Sequence, residues 1–318
     1  MATKAKATSS SSCLSFLKDA LLLPTRNAKL FVPVFLLLTV PTFLFDTTNV
    51  FCVQPLATDI LLRVNEAKNM DPSSPDYAKL MAEILKEARE LAAITTAAMV
   101  FVSLCVFANQ VVSFFAVSTT YSGDRYSLPD LFSKVIMKGR RLRGPLVTIA
   151  IEAVLNVACM LLLVALLQLV MHHSGPALYV AAVLLFVLPF LAFLYLNVVF
   201  FVAVAVSVAD AERRGVSALR RAWQLMTRVW RKEGCVLVVA VHLVAMVPSP
   251  LYAAALGYSK KSVPVGLALV FFNALLLGWV KLFNFAAATV YYYQAMDMES
   301  EEVTAHDYVK VPTGEATV

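Results

Sequence analysis

Ala177–Ala209, ALYVAAVLLFVLPFLAFLYLNVVFFVAVAVSVA, runs without a single Asp, Glu, Lys or Arg. A helix needs about 20 predominantly apolar residues to cross the hydrocarbon core of a bilayer. This run exceeds that length, which implies tilt, a kink at Pro189 or an extension beyond the bilayer. Five more apolar runs flank it: Leu30–Phe45 (continuing toward Val53), Leu91–Tyr121, Pro145–Met171, Gly234–Leu256 and Val265–Met296. Short charged segments separate them. The fold class that follows is an all-α polytopic membrane bundle of six spans.

Composition agrees. Of 318 residues, 60% are hydrophobic and 15% charged, against roughly 45–50% and 25% in soluble domains. The net charge of +6 does not point to nucleic acid, because most basic residues border apolar runs. There they act as topology signals and as contacts for anionic lipid head groups. Five cysteines, with no CxxC among them, exclude a zinc knuckle and a disulfide framework.

Working outward from the spans, residues 1–29 form a basic N-terminal tail and helix, 30–296 the six-span domain, and 297–318 an acidic, disordered tail. Within the polar stretch Gln54–Glu90, the segment PDYAKLMAEILKEARELAAITT has helical spacing. It predicts one long helix from Pro75 or Asp76 into the second span. Lys and Arg concentrate in the N-terminus, between spans two and three, and between spans four and five, which places both termini in the cytosol. Endomembrane or plasma membrane fits this pattern. An organelle membrane is the alternative, from the Ser/Thr-rich start.

Three segments repeat a pattern: SFLKDALLLPTRNAK, SLPDLFSKVIMKGRRLRG and SALRRAWQLMTRVWRKEG. Each starts at a serine (Ser15, Ser127, Ser217), continues as an amphipathic turn or two, and ends in basic residues before a span. The expected arrangement is three interfacial helices, each leading into a hairpin of two spans. Their apolar sides, including Trp223 and Trp230, would lie in the acyl boundary. Arg140, Arg141, Arg220, Arg221 and Arg228 would meet anionic head groups.

The stretch FVAVAVSVADAERRGVSALRRAWQLMTRVWRKEGCVLV resembles a junction found in a large group of plant six-span membrane proteins. More distantly, it is similar to the membrane-anchor domain of bacterial glycerophosphodiester phosphodiesterases. The match runs through Val206, Ser207, Val208, Asp210 and Ala218 to Trp223. The resemblance implies the six-span layout. It implies no activity, since the catalytic domain of those enzymes has no counterpart here.

Ionisable and polar groups inside spans demand a reason, because burying them in lipid is costly. Glu152, Asn197, His242, Lys281 and Asn109 fall at matched depth by residue count, with Gln110, Asn156 and Asn284 close to that level. One reading is a polar layer for an ion, lipid head group or small solute. The other is interhelical hydrogen bonding with a Glu152–Lys281 pair. No Walker A, GxSxG or HExxH pattern occurs, so no enzyme, cofactor or metal is expected. The expected partners are the lipid bilayer, anionic head groups and a cytosolic protein for the acidic tail.

Overall fold

A computed structural model describes residues 14–136, 142–172, 176–210 and 212–309; side chains are described except at 135–136, 172–182 and 301–309. Its helices are α1 (Ser15–Arg26), α2 (Ala28–Thr48), α3 (Gln54–Ala67), α4 (Pro75–Tyr121), α5 (Leu128–Ile136), α6 (Arg143–His172), α7 (Pro176–Ala209), α8 (Val216–Gln224), α9 (Arg231–Met246), α10 (Ser249–Ser259) and α11 (Val263–Val309). Two π-helical turns, Asn49–Val53 and Leu225–Val229, interrupt the series. Six helical stretches are long and apolar enough to cross a membrane. Val154, Leu161 and Leu188 expose 69%, 65% and 71% of their surfaces. Runs of such residues on α6 and α7 belong in lipid rather than water.

Two stretches depart from the sequence reading. The first span does not end near Val53: it passes through the π turn into α3 and remains helical to Ala67. Arg63 of α3 reaches both Glu83 and Glu87 of α4, at 2.8 and 3.2 Å. Those ion pairs tie the polar extension of one helix to that of the next. The acidic tail is also not disordered from residue 297. α11 continues to Val309, and Glu299 on it is held by Arg221. Residues 310–318 lie outside the described residues.

The chain divides into two compact units. One comprises Met1–Phe31, Ser113–Leu243 and Phe283–Val318; the other comprises Val32–Val112 and Val244–Leu282. In the first, Phe16, Ala20 and Leu23 of α1 are fully buried, as are Ala218 and Ala222 of α8 and Leu225 of the π turn. The three short helices stand where the serine-led pattern placed them. The apolar sides of α1 and α8, however, pack on protein rather than meeting acyl chains. α8 packs on α7, and Tyr291 holds α1 and the π turn. Its ring, itself 0% exposed, has Trp230 stacked on it at 5.4 Å and Phe16 edge-on at 6.0 Å. Its hydroxyl lies within donating reach of the carbonyls of Trp230 (3.0 Å) and Leu225 (3.3 Å), two groups at the π turn. Trp230 is therefore half-buried against other rings of this unit, while Trp223 keeps 46% of its surface exposed.

α8 starts at one position that only glycine tolerates. Gly215 has φ +57°, and a Cβ there would stand 2.9 Å from Ile151 Cδ1. Its N–H donates to Thr148 Oγ1 at 2.9 Å, anchoring the start of α8 to α6.

Candidate functional site

The second unit contains a polar stripe inside its apolar helices. In LTVPTFLFDTTN, residues 38–49, Thr39, Thr42, Asp46 and Asn49 follow one another at i, i+3, i+7 and i+10, one face of a helix. Each has a partner. Lys281 Nζ donates to Thr42 Oγ1 at 2.9 Å. Asn273 Nδ2 donates to a carboxylate oxygen of Asp46 at 2.8 Å. Asn49 Nδ2 donates to Tyr252 Oη at 2.6 Å. Thr39 lies against Gly278, whose missing side chain lets α2 and α11 approach closely.

Asp46 and Asn273 are both buried, at 6% and 1% exposed. Asn273 is ten residues into α11, about 15 Å along it at 1.5 Å per residue, so this pair lies deep in the span. A carboxylate cannot donate, which fixes the orientation of the Asn273 amide: Nδ2 faces Asp46, and Oδ1 is buried with no hydrogen-bond partner. Lys281 is close enough to Asp46 to interact electrostatically. Even so, the ion pairs among the described residues do not join the two.

Beside the pair opens a groove of about 470 Å³. Asp46, Asn273, Ser249 and Tyr252 supply its polar lining; Phe45, Leu256 and Leu277 supply apolar walls. The helix of the fifth span breaks at this groove. α9 stops at Met246, Val247 and Pro248 turn, and α10 begins at Ser249. Pro250 has no N–H to give the carbonyl of Met246, four residues earlier. Non-helical backbone at membrane depth is tolerated only where protein buries it or where it lines a polar cavity.

The expected polar layer falls into both units: Glu152, Asn197 and His242 in the first, Asn109 and Lys281 in the second. Glu152 is half-buried and lines a cavity of only about 10 Å³, with Thr148, Phe200 and Gly215. That is the space of about one water. Asn197 is also half-buried. His242 Nδ1 lies 2.8 Å from the Val238 carbonyl. A carbonyl only accepts, so the proton sits on Nδ1 and the ring is back-bonded to its own helix. Asn109 Nδ2 donates to the Leu37 carbonyl at 2.6 Å. Leu37 is four residues before Pro41, so Asn109 supplies the donor that the proline cannot. Lys281 belongs to the α2 stripe through Thr42.

Of the expected head-group contacts, Arg220 and Arg228 are exposed. Arg221 is not: its side chain is 12% exposed and makes a two-pronged ion pair with Glu299. Arg140 and Arg141 lie outside the described residues. No group of His, Cys, Asp and Glu among the described residues could hold a metal ion. Asp46 escaped the sequence reading altogether. The signal was present, as the only acid in the apolar run Leu30–Val53 and as a polar residue in register with Thr39, Thr42 and Asn49.

Six long apolar helices and a polar pair between them define a multi-pass membrane protein. The chain belongs to the family described as domain of unknown function DUF8558, whose model matches residues 5–310. No curated protein and no solved structure matches it.

Proposed function

We propose that this chain binds a small polar solute in the groove beside Asp46 and acts as a membrane transporter or as the solute-binding part of one. One observation carries the reading. Asp46 and Asn273 form a buried pair at a groove of about 470 Å³, where the fifth-span helix is broken. Small-molecule sites have volumes of about 300–1,000 Å³, with apolar walls and a few converging polar groups. Broken helices at membrane depth recur where transporters hold their substrates. Of the polar layer considered from sequence this reading keeps only Lys281, beside the α2 stripe, and puts Asp46 in the place first given to Glu152. The reading assigns no catalysis to the chain.

The test is uptake and binding by the purified protein in proteoliposomes, over a panel of cations, amines, amino acids and polar metabolites. Saturable uptake that persists in Glu152→Gln and is lost in Asp46→Asn supports the reading. Uptake that depends on Glu152 and not on Asp46 moves the site to the other unit. No uptake or binding anywhere in the panel removes the transport reading.

A second reading rests on α8, where Trp223 is 46% exposed and Arg220 and Arg228 are exposed with it. An aromatic ring beside cations suits an interface with anionic lipid, and the chain would then serve as a lipid-contacting scaffold for cytosolic partners. Both termini lie in the cytosol on either reading, in an endomembrane or the plasma membrane. Native mass spectrometry of lipids retained by wild type and by Arg220→Ala/Arg228→Ala tests the scaffold. Unchanged retention of anionic lipid by the double variant would remove it.

A further inference from the structure

The groove is lined by a carboxylate, an amide and two hydroxyls, and its one charged side chain is an anion. Asp46 carries a carboxylate, and one oxygen of it already accepts from Asn273. Asn273 Oδ1 is buried and unpartnered. Tyr252 Oη accepts from Asn49; its own proton, that of Ser249 and the second N–H of the Asn273 amide are the donors of the lining side chains.

A ligand that completes this set must bring hydrogen-bond donors and positive charge. A bare metal ion fits poorly: no cluster of metal-ligating side chains exists among the described residues, and the groove is far larger than an ion. An anion would face the Asp46 carboxylate inside a low-dielectric membrane. The nearest cation, Lys281, is engaged with Thr42 one helical turn away, and its ammonium is not among the groove-lining groups. The walls are Phe45, Leu256, Leu277 and the Tyr252 ring. They suit an apolar body, and aromatic faces also attract ammonium groups.

We infer that the groove binds the ammonium head of a small organic amine, with the head on Asp46 and Asn273 and the apolar body against Phe45, Tyr252 and Leu256. This inference rests on the solute-binding reading of the same groove and names its substrate class. Asp46 supplies the opposite charge, and Asn273 Oδ1 accepts a second N–H. The Asn273–Asp46 bond holds the carboxylate in place before the ligand arrives, so little ordering is needed on binding.

The experiment is equilibrium dialysis of radiolabelled phenethylamine against the full chain in phosphatidylcholine nanodiscs. Phenylacetate and 2-phenylethanol are run as matched anionic and neutral probes, with empty nanodiscs as the partition control. The variants are Asp46→Asn, which removes the charge, and Leu256→Trp, which fills the groove and keeps the carboxylate. Both are checked for wild-type elution and helicity. The expected result is saturable phenethylamine binding, weakened at least about tenfold by Asp46→Asn and abolished by Leu256→Trp, with no saturable binding of the other two probes. Equal binding of phenylacetate or 2-phenylethanol, lost in Leu256→Trp, overturns the amine class and leaves the groove standing. Amine binding that survives both variants places the site elsewhere and overturns the inference. No saturable binding of any probe, with folded protein, overturns the inference and counts against the groove reading too.

Discussion

Removing Glu299 should cost more stability than removing the charge it partners, and the structure fixes that order. Arg221 Nη1 donates to Glu299 Oε1 at 3.0 Å, and Nη2 bonds the second oxygen. Nη2 also lies 3.2 Å from the sulfur of Met296. The arginine side chain is 12% exposed and the glutamate 31%, and Arg221 Nε is buried without a partner. Two unit charges 4 Å apart attract by about 4 kcal/mol at an effective dielectric near 20. Roughly half of that is offset by the solvent Glu299 can still reach, which leaves about 2 kcal/mol of coupling. Glu299→Gln leaves a guanidinium with little access to water and no counter-charge, at a cost of about 2–3 kcal/mol. Arg221→Met keeps the packing of the stem and leaves a glutamate that can turn outward, so the loss is about 1 kcal/mol. Denaturant unfolding of both single variants and the double variant in mixed micelles gives the coupling directly. If Arg221 instead served lipid head groups, the two substitutions would simply add. Coupling below about 0.5 kcal/mol, or an Arg221→Met costlier than Glu299→Gln, would falsify the argument.

Four further outcomes follow from individual contacts. Asn109→Leu strips the Leu37 carbonyl of its donor and should destabilise by about 1–3 kcal/mol; adding Pro41→Ala, which restores the backbone N–H, should recover most of the loss in thermal unfolding. Gly278→Ala drives a methyl into Thr39 and should cost about 1–3 kcal/mol by overpacking, with Thr39→Ala relieving it. Tyr291→Phe removes the phenol from the Trp230 and Leu225 carbonyls, which keep their backbone donors, and should lower stability by about 0.5–1.5 kcal/mol with helicity unchanged by circular dichroism. At the start of α5 the Ser127 hydroxyl and backbone N–H both donate to Asp130 and hold its carboxyl below the usual range. The help this gives is present above the ordinary carboxylate pKa and is lost as pH falls through the lowered one, so amide exchange at Leu131–Lys134, corrected for intrinsic rate, should show α5 loosening only in that acidic window.

The spans were legible because hydropathy acts over about twenty residues and needs no knowledge of neighbours. The three short helices were legible in position, since a serine followed by an amphipathic turn fixes a local structure. What covers a helix was not. The apolar stripe Ala218, Ala222, Leu225 and Met226 reads the same whether lipid or protein lies against it, and only tertiary packing, of α8 on α7 and of Leu225 beside Tyr291, decides for protein. Counting residues from a membrane edge failed for a related reason. Depth says how far along a helix a group lies and nothing about which way it points, so Lys281 was paired with Glu152 by level while its ammonium goes to Thr42 on α2. Asp46 went unread because the apolar residues around it outweighed the period of Thr39, Thr42 and Asn49 when the run was taken as a whole.

Two prolines show how the same chemistry separates structure from site. Pro41 and Pro250 each lack the N–H that a helix would give to the carbonyl four residues back. For Pro41 the protein answers: Asn109 reaches across at 2.6 Å and satisfies Leu37, so nothing remains for a ligand to do. For Pro250 the helix instead breaks just before it, at Val247–Pro248, and Pro248 and Ser249 line the groove that holds Asp46 and Asn273. An unpartnered amide oxygen and a carboxylate on one groove want the same complement, a donor with positive charge. Under the solute-binding proposal, that pair favours the α2–α10–α11 groove over the more conspicuous Glu152.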